Sequence, residues 1–316
     1  MNAQLKFRPV SFSWVAIHPN PKGVVQFMGG AFFGTFPTVF YRYFLRNIFE
    51  QGYTIVALPF RFSFRHWPIA IGLLKEQDVL TEEIIKIANK LNYQSEVYRN
   101  KENYFWIGHS LGCKYITLLE FLSGDEWESI LLASDVNTQK QAQQIKSSLQ
   151  DFGIKKPSIK GQKSLLIAPD ISDTQSAIPK PLSSIAKFLD GVGLGVLPTR
   201  KQTQDFVDRS DLFNLTALIS FSQDAIAGSQ NDKDKSEEVQ KDSDVLWLIH
   251  ELKDREFPIV HQEMPGKHLE PIGIKIGNYI VDLNPLDKFI EPVASRYLEP
   301  VTIRFLDALD KRQQSK

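Results

Sequence analysis

Tyr104-Phe105-Trp106-Ile107-Gly108-His109-Ser110-Leu111-Gly112-Cys113-Lys114 is the stretch from which the rest of the chain is read. Its first four residues are apolar and fit a buried strand, and the apolar run from Leu111 to Leu122 fits a helix. Between them stands Gly-x-Ser-x-Gly, the spacing of a nucleophile elbow, in which a serine occupies a tight strand-to-helix turn. Gly108 and Gly112 suit that turn because a larger neighbour would strike adjoining backbone. The turn points the Ser110 hydroxyl at solvent and sets the free N–H groups of a helix N-terminus beneath it. A serine in an ordinary glycine-rich turn has the same letters, so the flanking strand and helix give the motif its weight.

Outward from the elbow, short runs rich in Val, Ile and Phe alternate with amphipathic segments, the pattern of a mostly parallel sheet with helices on both faces. Strands are expected at Ser13 to Ile17, Val24 to Met28, Thr54 to Pro59, Tyr104 to Ile107, Ser164 to Ala168, Thr216 to Phe221 and Ile259 to Glu263. Thr38 to Phe49 reads as an aromatic-rich helix closed by Gly52, and Leu80, Ile84, Ile87, Ala88 and Leu91 form one face of another. Ser129 to Ala133 fits strand or helix and is read as helix. Asn231 to Asp244 is polar and reads as a solvated loop, followed by a helix carrying Val245, Leu248, Ile249 and Leu252. Residues 171–215 set Pro179, Pro181, Gly191, Gly193, Gly195 and Pro198 around the apolar face Leu182, Ile185, Phe188 and Leu189, which reads as an inserted lid. No period of 20 to 50 residues repeats, which argues against solenoids and propellers.

A serine hydroxyl needs a base, and after this kind of elbow the partners follow in the order Ser, Asp or Glu, His. Asp224 comes just after the strand Thr216 to Phe221, and His268 just after Ile259 to Glu263. Both stand beyond the carboxyl end of a strand, where open α/β sheets bind ligands. Among the other histidines, His18 precedes the elbow, His66 lies in an aromatic loop, His250 on a helix and His261 within a strand. His109, inside the elbow, is expected to face away from Ser110. Asp170, after Ser164 to Ala168, is an alternative acid, and Asp135 a third candidate. The oxyanion needs two backbone N–H groups. Leu111 is expected to supply one, and Gly30 or Ala31, in the loop Gly29-Gly30-Ala31-Phe32-Phe33-Gly34, the other. That loop lacks the dinucleotide and phosphate-loop spacings, and there is no His-Glu-x-x-His, Cys-x-x-Cys or Asp-rich calcium loop, so no cofactor or metal is expected.

The chain has 316 residues, 42% hydrophobic and 23% charged, the composition of a globular enzyme. Lys+Arg 37 against Asp+Glu 37 leaves no global field to recruit nucleic acid or anionic lipid, although a local patch and peripheral membrane contact stay open. A single cysteine, Cys113, excludes an intramolecular disulfide. The uncharged run Gly23 to Tyr41 is better read as strand, glycine turn and helix than as a membrane span, given Gly29, Gly30, Gly34, Gln26 and Pro37. Pro9, His18 and Pro19 break what would be the core of a signal peptide, so an intracellular location is expected.

Taken together, Phe27-Met28-Gly29-Gly30-Ala31-Phe32, Gly108 to Lys114 and Pro265-Gly266-Lys267-His268-Leu269-Glu270-Pro271 resemble the α/β-hydrolase-like family called domain of unknown function 1350, found in cyanobacteria and plant chloroplasts. Leu165 to Asp170 with Ser176 to Pro179 resembles the family's sixth strand and following turn. The chain departs from the family at Gln223-Asp224-Ala225, where paired acids are usual and one carboxylate stands here. The resemblance implies an α/β-hydrolase fold over residues 1–170 and 216–316, with 124–160 as an extension and 171–215 as a lid after the sixth strand. It also implies a cytoplasmic protein, or a stromal one in a plant. Function is then expected to be ester or thioester hydrolysis on an apolar acyl substrate, with Phe188 and Leu189 in the acyl pocket. The competing reading is a non-catalytic member of the fold that binds a hydrophobic metabolite or a protein.

Overall fold

The computed structural model describes residues 3–61, 63–134, 138–171, 196–281 and 290–315. Eight strands form one sheet in the order β1-β2-β4-β3-β5-β6-β7-β8: β1 (Arg8–Val10), β2 (Ser13–Ala16), β3 (Gly23–Met28), β4 (Tyr53–Ala57), β5 (Tyr104–His109), β6 (Lys163–Ile167), β7 (Thr216–Phe221) and β8 (Val260–Met264). The β1-β2-β4 edge is antiparallel, and every pairing from β4 through β8 is parallel. Strands β3 to β7 are buried along their whole length, which explains why apolar residues dominate them around the buried Gln26, Lys163 and Ser220.

Parallel register brings the strand ends level. Met28 pairs with Gly108, His109 with Ile167, and Phe221 with Met264, so the loops after β3, β5, β6, β7 and β8 leave the sheet along one edge. One helical cluster joins α3 (His66–Lys90), α4 (Leu111–Leu122), α5 (Trp127–Ser134), α6 (Thr138–Asp151) and α7 (Arg200–Asp208). A second joins α1 (Pro37–Phe40), α2 (Arg42–Glu50) and α10 (Leu298–Gln314), the last lying on β6 and β7. Before α10 the chain also forms α8 (Glu237–Asp242) and α9 (Asp244–Leu252). Every residue of α4 is buried, including Lys114 and Glu120.

Several expectations are corrected. The helix expected over Thr38 to Phe49 is broken at Tyr41, which leaves helical dihedrals (φ −103, ψ 20) as its ring is buried beneath the glycine loop. The helix whose face was expected at Leu80 to Leu91 is α3, which already starts at His66, because Trp67, Ala70, Ile71, Leu73 and Leu74 bury one face before Leu80. The polar stretch 231–244 holds a 3₁₀ turn and α8, started by the Ser229 amide donating to Asp232 (2.7 Å). A three-stranded antiparallel sheet follows the His268 loop: β9 (Ile274–Ile276), β10 (Tyr279–Val281) and β11 (Ile290–Pro292). Of the span 171–215, Leu182, Ile185, Phe188 and Leu189 lie outside the described residues, as does Asp135. The end of that span belongs to the body instead, since α7 stacks Phe206 on Phe121 at 4.5 Å.

The β5–α4 turn leaves no room beside its glycines. A Cβ on Gly112 would stand 2.4 Å from the Met28 carbonyl, and one on Gly108 would stand 2.7 Å from the Cys113 nitrogen. On Gly72, inside α3, it would meet only Phe152 at an ordinary 3.6 Å. Gly112→Ala is therefore expected to lower unfolding free energy by about 1–3 kcal/mol or more, and Gly72→Ala to raise it by roughly 0.5–1 kcal/mol. Urea denaturation of both variants checks the contrast, and equal midpoints would contradict it.

Candidate active site

Ser110 stands between β5 and α4 with φ 55 and ψ −124, a conformation that L-residues rarely adopt. Its amide donates to the Ile167 carbonyl at 3.0 Å, so the neighbouring strand β6 holds the turn. The hydroxyl meets His268 Nε2 at 2.8 Å, and His268 Nδ1 meets Asp224 Oδ2 at 2.8 Å. Asp224 Oδ1 accepts from the amides of Ile226 (2.8 Å) and Ala227 (3.0 Å), which fixes the carboxylate plane. The loops carrying Asp224 and His268 are tied together, Ser222 N–H donating to Met264 O and Gln223 N–H to Gly266 O, each at 2.9 Å.

All three side chains are buried. Burial alone would depress the His268 pKa, but the charge and hydrogen bond of Asp224 outweigh it and hold the value above the ordinary 6.5. The Asp224 oxygen accepts a hydrogen bond from Nδ1–H, which leaves the Nε2 lone pair facing the serine hydroxyl. The alternative acid, Asp170, lies at the cavity, where its amide donates to Ser110 O at 3.3 Å and its charge also favours protonated His268.

The residue inside the elbow does not turn away from the site as expected. His109 is fully buried, its ring centred 5.2 Å from that of His268. Its Nε2 bonds to the His268 carbonyl (2.7 Å), its Nδ1 to the Tyr41 hydroxyl (2.8 Å), and that hydroxyl to the Gly30 amide (2.8 Å). A carbonyl only accepts, so Nε2 carries the proton. Burial and the neighbouring His268 push the His109 pKa down to about 3, so Nδ1 is a bare acceptor. Tyr41 then donates to Nδ1 and accepts from Gly30 N–H. One directed chain of hydrogen bonds joins the glycine loop, the elbow and the base loop.

That chain corrects one expectation: the Gly30 amide is occupied by Tyr41 and is not free to bind an oxyanion. The amides of Ala31 and Leu111 border the same cavity and donate to no group among the described residues. A Cβ on Gly30 would lie 3.2 Å from Ser110 Cβ, so glycine there lets the loop approach Ser110 closely.

The serine opens into a cavity of about 210 Å³. Phe32, Phe33, Val196, Ile226 and Leu269 give it a mainly apolar wall, against which His66 and Asp170 stand as polar groups. His66 is the first residue of α3 rather than part of a loop, and burial, with the Lys114 charge, holds its pKa well below 6.5. A second cavity of about 290 Å³ lies behind the His268 loop, but its walls carry the ion-paired Arg296 and no nucleophile hydrogen-bonded to a base. Among the described residues no three His, Cys, Asp or Glu side chains gather to hold a metal, and no helix is long and apolar enough to cross a membrane.

An elbow serine at the carboxyl edge of this sheet, with acid and histidine following β7 and β8, is the α/β-hydrolase fold. Residues 6–301 match the family described as protein of unknown function (DUF1350), and the chain belongs to it. No curated protein matches. Among solved structures, the carboxylesterase Cest-2923 from Lactobacillus plantarum WCFS1 is similar at 9% identity and TM-score 0.53, covering 96% of this chain and 97% of its own. An inhibited esterase B from Lactobacillus rhamnosis is similar at 15% identity and TM-score 0.50, covering 96% and 84%. The likeness is one of fold.

The directed chain fixes the tautomer of His109. In ¹⁵N NMR, its ring is expected to remain the neutral Nε2–H form across the pH range in which His268 titrates. A titrating His109, or an Nδ1–H tautomer, would contradict the assignment.

Proposed function

We propose that this chain is a serine hydrolase acting on a carboxylic ester or thioester with an apolar acyl group. The observation that carries the reading is the unbroken run of 2.8 Å contacts from Ser110 Oγ through His268 to Asp224 at the mouth of an apolar cavity. A module that only binds has no need of that run.

In this reading Ser110 Oγ attacks the substrate carbonyl as His268 Nε2 takes the hydroxyl proton, and the oxygen of the tetrahedral adduct gains the negative charge. The amides of Ala31 and Leu111 receive that charge. Collapse expels the alcohol or thiol, which leaves with the proton from His268, and the acyl group stays on Ser110. Water then repeats the sequence, giving its proton to His268, releasing the acid and restoring the serine. Asp224 holds the imidazole in the reactive tautomer and stabilises its protonated form. Esters are the easiest substrates for such a site, thioesters next and amides the hardest.

Steady-state hydrolysis of p-nitrophenyl butyrate tests the assignment. Ser110→Ala is expected to lose roughly three or more orders of magnitude in kcat. The wild-type kcat/KM falls as His268 becomes protonated, so its acid limb lies above the ordinary imidazole value of 6.5. Asp224→Asn removes the charge that favours imidazolium, so the limb moves to lower pH while kcat drops by about 10⁴. Turnover that survives Ser110→Ala, or a limb that stays in place in Asp224→Asn, would overturn the reading.

A further inference from the structure

The face of the small sheet turned away from the body is apolar throughout. In its register Tyr279 lies opposite both Ile276 and Pro292, and Val281 opposite both Ile274 and Ile290. Paired residues, and residues two apart along a strand, share a face. These six side chains therefore lie together, while Ile280 between them points inward and is fully buried. Ile276, Tyr279 and Ile290 are each more than half exposed, and Tyr297, just beyond β11, is 66% exposed.

The sheet is tied to the chain segment that leads away from the cavity wall. Gly273 N–H donates to Phe40 O at 2.9 Å, and Tyr43 N–H to Gly273 O at 3.4 Å, which seats the start of β9 against α1. On and before α1, Val39 and Phe36 are exposed, and Phe32 on the cavity wall is 63% exposed. An apolar surface of this extent marks an interaction site.

Charge identifies what covers it. Arg42 opens α2 beside Phe40, and Arg61 and Arg65 flank the segment leading to His66 on the cavity wall, whereas Lys275 pairs with Ile280 on the inward face of the small sheet. The three arginines are exposed and form no ion pair among the described residues. Of the neighbouring acids, Glu50 of α2 is paired with Arg46 (3.4 Å), Glu291 is held by Arg296 (3.2 Å), and Glu270 is half-buried. A chain of zero net charge thus presents cations beside its apolar face. An anionic lipid surface answers the apolar face and the cations together, with tyrosines suited to the headgroup level.

We propose that this edge of the molecule docks on an anionic lipid surface, through the outward face of β9–β11 and the cations around it, with the cavity mouth turned to the lipid. The substrate class follows: an acyl ester delivered from that surface. The substrate half rests on the serine-hydrolase reading, whereas the docking half does not.

The test is sedimentation of the full chain with vesicles of phosphatidylcholine alone or containing about 30 mol% phosphatidylglycerol. The wild type is expected to bind the anionic vesicles and to be released by salt. A triple variant, Ile276→Ser with Tyr279→Ser and Ile290→Ser, is expected to bind about tenfold or more weakly while hydrolysing p-nitrophenyl butyrate in free solution at the wild-type rate. Arg42→Glu with Arg65→Glu, which leaves the apolar face intact, is expected to lose the preference for phosphatidylglycerol. Wild type that ignores anionic vesicles, or a triple variant that binds as wild type, overturns the docking proposal. So does a wild-type dimer in sedimentation velocity that the triple variant abolishes, because the face would then belong to a second copy. Fluorophosphonate labelling of Ser110 without vesicles keeps the two readings apart: a chain that labels but does not bind loses only the docking proposal, and one that binds but does not label loses only the hydrolase.

Discussion

The site depends on the close approach of the elbow to the end of β3, where a Cβ on Gly112 would stand within 3 Å of the carbonyl oxygens of Met28 and Gly29. Two features of the sequence meet there, the second glycine of Gly-x-Ser-x-Gly and the glycine loop that follows a buried strand. Because β3 and β5 are adjacent and in parallel register, their ends lie level, and α4 can begin only if its first turn fits against that loop. The fit places the Leu111 and Ala31 amides on one cavity and draws Gly30 to the nucleophile. Strain at Ser110 is sustained because β6, α4 and the glycine loop all hold the turn.

A second network settles how the loops stand relative to one another. Tyr41, His109 and the His268 carbonyl are buried, and the only arrangement of protons that satisfies all of them runs from Gly30 to His268. In the low-dielectric interior a broken link would leave an unpaired polar group, so the chain resists partial opening. The base loop is thereby held from two sides, by Asp224 on the imidazole and by His109 on the backbone.

Much of this was legible in the residues. Seven of the eight strands of the large sheet fall within one or two residues of their expected bounds, because short runs rich in Val, Ile, Leu and Phe mark strands packed in a core, whereas β1, three residues at the edge, carries no such run. Ser110, Asp224 and His268 follow from chain order and strand position, and the structure brings those three side chains together. Tyr41 was not found, since an aromatic residue within an aromatic-rich helix shows no sign that its hydroxyl is used; only the break in helical geometry reveals it. The role of His109 was hidden for a related reason, because neither its tautomer nor its partners 68 and 159 residues distant can be read locally. Strands of three residues, as in β9–β11, are too short to show an alternation, so their apolar face emerged only from the register.

In the proposed chemistry Ser110 is an activated nucleophile, and intact-protein mass spectrometry after fluorophosphonate treatment, followed by peptide mapping, tests this with least ambiguity. One adduct per chain is expected, carried on Ser110, forming more slowly at pH values where His268 is protonated. A folded protein that forms no adduct, or forms it on a different serine, would show that Ser110 is not so activated.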